Sequence, residues 1–120
     1  MAAEHTINLN ISAQLKSDPE FRKAYFRARS RNEIAAQLID LRKRRKLTQK
    51  DIARITHTGQ PSISRLEKAD YASWNNQTLE RIAEALDARW RHVLEPVEDV
   101  IRQYEVAEEW RGRGRGGART

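Results

Sequence analysis

The sequence predicts an all-α fold, and three observations carry that prediction. Apolar residues recur at three- and four-residue spacing in Leu79, Ile82, Ala83 and Leu86, and again in Val97, Val100, Ile101 and Tyr104. That is the stripe an amphipathic helix buries. Helix-start signals precede such stripes: Thr48-Gln49-Lys50-Asp51 has the form of a capping box, and Ser17-Asp18-Pro19-Glu20 offers Ser17 as a cap with Pro19 in the first turn. The composition also leaves little else to build with. The chain has 120 residues, 38% hydrophobic and 33% charged, with no cysteine. This fits one small domain with extensions, without disulfides or thiolate metal sites, burying roughly two-thirds of its unfolded surface.

Residues 5–15 alternate apolar and polar through Ile7, Leu9 and Ile11, which predicts a short strand or extended arm; a disordered N-terminus is the alternative. From Ser17 a helical pattern runs through Phe21, Tyr25, Ala28, Ala35, Leu38 and Leu41 to about Lys46, with a break expected near Ser30-Arg31-Asn32. After the capping box, Ile52, Ala53 and Ile55 form the inward side of a short helix, interrupted by His57-Thr58-Gly59. Gln60 to Lys68 reads as a second short helix, with Pro61 in its first turn and Ile63 and Leu66 facing inward. A polar loop over 69–76 leads to a helix capped by Asn75 or Asn76. Residues 88–95 alternate Trp90, His92 and Leu94 with Arg89, Arg91 and Val93, and are expected to form a strand. Pro96 opens a last helix with Glu98 and Asp99 in its first turn, and order is expected to end near Trp110, before an Arg/Gly tail.

The charge is segregated. The net charge of +6 divides into −2 over residues 1–21, +9 over 22–54, −5 over 55–110 and +4 over 111–120. Two cationic blocks suggest a polyanion, with nucleic acid first; solvated helical faces are the alternative. No apolar run approaches the ~20 residues of a membrane span, and no signal-peptide pattern opens the chain. Three scattered histidines, His5, His57 and His92, argue against a zinc site. No cofactor is implied.

The informative stretch is residues 47–68, LTQKDIARITHTGQPSISRLEK. Two short helices joined by a three-residue turn have the layout of a helix-turn-helix. Anchored by Ile63 and Leu66, the second helix is left to project Gln60, Ser62, Ser64 and Arg65, side chains that reach base edges in a major groove. Together with NQTLERIAEALDA, these residues resemble the lambda repressor/Cro-like (XRE) family over about residues 37–94. DPEFRKAY and ALDARWRHVLEP give the flanks the flavour of HigA-like antitoxins and small autorepressors. The resemblance implies a bundle of about five helices. It also implies that Gln49 contacts phosphate and braces Gln60, that Gln60, Ser62 and Arg65 approach bases, and that Ser64 and Lys68 touch the backbone. A strand after the bundle would pair with its twin, placing Trp90, Val93 and Leu94 at a dimer interface. The sequence departs from the family where many members have Gly at His57 and Ser at Gly59.

The expected organisation is an N-terminal arm (1–17), a helical extension (18–36), the XRE-like domain (37–94, motif 49–68), a C-terminal helix (95–110) and a disordered tail (111–120). Within it, Arg42-Lys43-Arg44-Arg45-Lys46 is expected to be a cationic face near phosphate rather than an import signal. Ser62, Ser64 and His57 lack the acid a catalytic set needs, so no enzyme is expected. Trp74 is expected to pack over its loop. The expected function is sequence-specific binding of a double-stranded DNA operator by a cytoplasmic, nucleoid-associated repressor of bacterial or phage origin. It would act as a homodimer on a palindrome, with Lys50 and Pro61 joining the contacts above. The alternative is an antitoxin that binds a toxin protein and autoregulates its operon.

Overall fold

The computed structural model describes residues 10–70 and 75–117. Among these the protein is helical throughout: α1 (Ile11–Ser17), α2 (Pro19–Arg44), α3 (Gln49–Thr56), α4 (Gln60–Glu67), α5 (Asn76–Ala85) and α6 (Val97–Gly117). The chain divides into two compact units, residues 27–92 and residues 1–26 with 93–120.

The first unit is built around α3, α4 and α5. Ile52, Ala53, Ile63, Leu66, Leu79, Ile82 and Leu86 form its buried core, and Ile34, Leu38, Leu41 and Trp90 pack against it. The unit therefore begins earlier than the expected boundary at residue 37, because Ile34 already belongs to this core. It has four helical segments rather than five; the chain after α5 runs without regular structure to His92, and α6 falls in the other unit. Ile55 turns out to solvent at 45% exposure, and Thr56 takes the inward place beside Ile52, four residues before it. The buried Thr56 hydroxyl donates to the Ile52 carbonyl at 2.7 Å and also bonds the Thr58 hydroxyl.

All four helices of this unit close in the same way. Lys46, His57, Ala69 and Asp87 each take a left-handed conformation, with φ of 58°, 57°, 56° and 53°. At each end the left-handed residue and its successor donate to carbonyls of the last turn. At α3, for example, His57 N donates to Arg54 O at 3.3 Å and Thr58 N to Ala53 O at 2.8 Å. This is the Schellman pattern, usually served by glycine because a Cβ is strained there.

In the second unit α1 lies against α6. Ile11, Leu15 and Ile101 are buried, with Phe21, Tyr25, Phe26 and Tyr104 packed around them. The Ser12 backbone N–H and hydroxyl donate to the Glu108 carboxylate at 3.0 and 2.5 Å, and Lys16 pairs with Glu105 at 2.6 Å. A carboxylate thus satisfies a first-turn N–H of α1, where the helix dipole favours negative charge. Tyr25 stands edge-on to Tyr104, with centroids 6.0 Å apart.

Several expectations are corrected. The described part of the N-terminal arm is a helix, because Ile11 and Leu15 meet the second unit's core at four-residue spacing; Ile7 and Leu9 lie outside the described residues. Asp18, not Ser17, caps α2, its Oδ1 accepting from Phe21 N at 3.1 Å, while Ser17 ends α1. No break occurs at residues 30–32: none is Pro or Gly, and the Arg29–Glu33 pair at 3.1 Å spans them. Asn75 caps α5. No strand forms at 88–95. Alternation fixes a strand only where a neighbour takes its backbone hydrogen bonds, and here Trp90 instead turns to the core and donates Nε1–H to Asn76 Oδ1 at 2.7 Å. Val93 and Leu94 are 60% and 100% exposed. Helical order does not stop at Trp110: α6 continues to Gly117, with Arg111 and Arg113 near the negative end of the helix. Trp74 lies outside the described residues.

His57→Gly and Ala69→Gly should each raise stability by about 0.5–1 kcal/mol, by relieving the left-handed strain. Denaturant melts check this.

Candidate nucleic-acid interface

The candidate site is the outward side of α3, its turn and α4. The Thr48–Asp51 capping box forms as the sequence predicts. Thr48 Oγ1 accepts from Asp51 N at 3.0 Å, and Asp51 Oδ2 accepts from Thr48 N at 2.8 Å. The hydrogen bond from the Thr48 backbone, then that from its hydroxyl, then Arg54, hold the Asp51 carboxyl below its ordinary pKa. The box leaves the backbone N–H groups of Gln49 and Lys50 without intrahelical partners at the positive end of α3.

In the turn, Gly59 precedes α4 at φ −76°, ψ 144°, a conformation open to any residue. A Cβ there would meet Pro61 Cδ at 3.6 Å, an ordinary contact. Glycine is thus not required at the cap; it only forgoes the side-chain bond a Ser would make.

Ile63 and Leu66 are the buried residues of α4, at 3% and 8% exposure. Opposite them Pro61, Arg65 and Lys68 are exposed, as is Gln60 at the helix start, while Ser62 and Ser64 are half-buried at the flanks. Lys50 is exposed on the first turn of α3. Of the residues expected at the site, Gln60, Pro61, Ser62, Ser64 and Arg65 therefore lie on one short helix, with Lys68 at its C-cap and Lys50 on its neighbour.

Gln49 is placed differently from expectation. Its side-chain amide donates to Glu67 Oε1 at 3.0 Å rather than bracing Gln60. Glu67 also receives Arg42, whose Nε reaches Oε2 at 2.6 Å and Nη2 reaches Oε1 at 3.0 Å. Arg42 Nη1 donates to the Leu47 carbonyl at 3.0 Å. The side chains of this pair are 16% and 7% exposed. Burial raises the Glu67 pKa, but hydrogen bonds from Arg42 and Gln49, with the charges of Arg42 and Lys43, outweigh it and leave the carboxyl below its usual range. The hydrogen bond to Glu67 raises Arg42 in turn.

Sequence reasoning missed this cluster because it read Arg42 to Lys46 as one cationic face. The signal was present: Arg42 and Arg45 fall four residues after Leu38 and Leu41, on the buried stripe. Arg45 accordingly donates to the Leu86 and Asp87 carbonyls at 2.8 and 3.1 Å, and Arg44 pairs with Asp40 at 3.2 Å. Lys43 and Lys46 stay exposed.

A family model described as a helix-turn-helix domain matches residues 17–91. The chain belongs to this helix-turn-helix family. It is 36% identical over 85 residues to the protein named Antitoxin HigA1 in two strains of Mycobacterium tuberculosis, covering 71% of this chain. The match spans 56% of those relatives, so this helix-turn-helix protein corresponds to about half their length. No solved structure matches it. Among the described residues no helix is long and apolar enough to cross a membrane.

Stability should fall in acid through Glu67. A carboxyl whose folded pKa lies below its unfolded value contributes fully above about pH 4.3 and loses that contribution as pH drops through the folded value. Glu67→Gln should therefore be less stable at neutral pH and flatter in its acid dependence. Arg42→Ala should cost about 3 kcal/mol, because it strands a desolvated carboxylate. Thermal melts from pH 3 to 7 check both.

Proposed function

We propose that this protein is a sequence-specific, double-stranded DNA-binding regulator that represses transcription as a homodimer on a two-fold operator. The observation that carries the reading is α4: Ile63 and Leu66 anchor it from behind while Gln60, Arg65 and Lys68 remain exposed on its other side. A helix held this way fits a major groove with its N-terminal residues at the base edges.

In this reading Gln60 and Arg65 read bases directly, with Ser62 beside them. Arg suits guanine and Gln suits adenine, each by paired hydrogen bonds. Lys50, Lys68 and Ser64 contact phosphates and set the register. The free N–H groups of Gln49 and Lys50 add a phosphate site at the start of α3. Gln49 has one amide hydrogen engaged with Glu67, so its part is to carry phosphate contact into the placement of α4. Repression follows from occupying the promoter. The reading assigns no cofactor and no catalytic step, and places the protein in the cytoplasm with DNA.

Gln60→Ala and Arg65→Ala should each weaken binding to a selected operator by about 1–3 kcal/mol while sparing non-specific duplex. Lys50→Ala should instead weaken binding to all sequences alike and lower the salt slope by about one. Titrations against an operator selected from random duplexes measure both. Wild-type affinity in the Gln60 and Arg65 variants would overturn the reading.

A second role is favoured by the resemblance to a protein named Antitoxin HigA1. The protein would also bind a toxin, through its N-terminal arm and residues 18–35, and repress its own operon. A toxin-sized reading frame beside the gene should then yield a product that co-purifies with this chain and whose growth arrest the chain relieves. Recovery of only free protein from that co-expression counts against it.

A further inference from the structure

We propose that two copies of the protein associate through α6, antiparallel and centred on Val106. The residues come from the side of α6 that α1 does not cover. Ile101, Tyr104 and Glu108 face the second unit's interior, whereas Asp99, Arg102, Val106, Trp110 and Arg113 are all exposed. At 100° per residue these five fall within a stripe about 80° wide. Val106 and Trp110 are 48% and 65% exposed, so the stripe has an apolar centre open to solvent.

The stripe has a property that selects its occupant. Its spacing of three, four, four and three residues is symmetric about Val106. Its chemistry is complementary about the same point. If a second α6 is laid antiparallel with Val106 on its own twin, Asp99 meets Arg113 of the second copy, and Arg102 meets Trp110 of the second copy. The first pair is an acid on a base. The second is a guanidinium on an aromatic face, the same chemistry by which Arg113 already lies 5.6 Å from the centre of the Trp110 ring in one chain. Each contact occurs twice in the pair, as a two-fold interface requires.

The helix as a whole carries the same polarity. Within α6, residues 97–109 hold five acids and one arginine, and residues 110–117 hold three arginines and no acid. Antiparallel pairing sets each half against its opposite, whereas parallel pairing would oppose like charges along the full length. The glycines at 112, 114, 116 and 117 make the last turns of α6 intrinsically poor helix, at about 1 kcal/mol each relative to Ala. The expected interface differs from the strand at Trp90, Val93 and Leu94 that the sequence suggested. The contact is a single helix pair about 21 Å long between Asp99 and Arg113, so association should be weak, with a dissociation constant on the order of 10 µM.

The homodimer of the preceding section rests on this contact, but the test needs no DNA. Sedimentation equilibrium of the full chain from about 1 to 200 µM should show a monomer–dimer equilibrium, and Val106→Asp should leave only monomer. Asp99→Arg and Arg113→Asp should each weaken the dimer at least about tenfold, and the double variant should recover to within about threefold of wild type. Recovery distinguishes antiparallel from parallel pairing, in which the double variant still opposes like charges. Far-UV circular dichroism checks that each variant keeps its helix; if Val106→Asp loses it, the charge-exchange series alone decides. A wild type that stays monomeric, a dimer indifferent to both single changes, or a double variant that fails to recover would overturn the proposal. Base-specific DNA binding by a chain that stays monomeric would overturn it while leaving the DNA-binding reading intact.

Discussion

The placement of α4 depends on one shared carboxylate. Glu67, at the end of that helix, is held by a two-pronged bond from Arg42 on α2 and a single bond from Gln49 on α3. Burial of Ile63 and Leu66 supplies the attraction that seats the helix, but apolar attraction has no direction and tolerates rotation about the helix axis. A guanidinium fork on a carboxylate does have direction. Three helices meeting on one desolvated group thus fix the angle at which Gln60 and Arg65 face outward. The burial that makes this contact specific also makes it vulnerable, since removing either partner leaves a charge that water no longer serves.

The same geometry divides the basic block. A run of five cations reads as a single surface, yet helical spacing sends alternate members in different directions. Arg42 turns inward to the end of α4, Arg45 stays exposed while donating to carbonyls at the end of α5, and Arg44 pairs with Asp40 on its own helix. Of the five, Lys43, Arg45 and Lys46 are exposed outside any ion pair, and Arg45 commits its guanidinium to carbonyls. The cationic reach toward a polyanion is therefore smaller than the net charge of residues 22–54 suggests. It lies instead with dispersed residues such as Lys50, Arg65 and Lys68.

What the sequence disclosed and what it hid follow from the range of each interaction. The capping box at Thr48, the cap at Asn75 and the inward pairs Ile63/Leu66 and Ile82/Leu86 are decided within one or two helical turns, so they are visible in local spacing. The Glu67 cluster joins positions 25 and 18 residues apart, and nothing local marks a charged residue as buried except its place on an apolar stripe. The misread strand at 88–95 is the converse case. Its alternation is real, but a strand needs a neighbour, and the indole of Trp90 finds Asn76 instead. The described end of the arm is a related case, because Ile11 and Leu15 also satisfy a helical period. Packing against Ile101 decides the conformation of these two residues.

In the proposed reading, the division into two units separates two demands on a DNA-binding regulator. In the proposed reading a single α4 offers two or three base-reading side chains, each worth about 1–3 kcal/mol of discrimination. That is too little to separate one operator from the many competing sites of a genome. Reading two half-sites at once doubles the discrimination, but the second copy then has to be recruited. A strong dimer interface would recruit it at any concentration. A weak one, such as the proposed pairing of α6, would leave free chains monomeric at low concentration and let the duplex assemble the pair. Operator occupancy would then rise with the square of protein concentration rather than in proportion to it, so a modest fall in free protein would relieve the proposed repression sharply. Any partner that sequesters single copies gains the same leverage, because each copy it removes is lost to two-fold assembly.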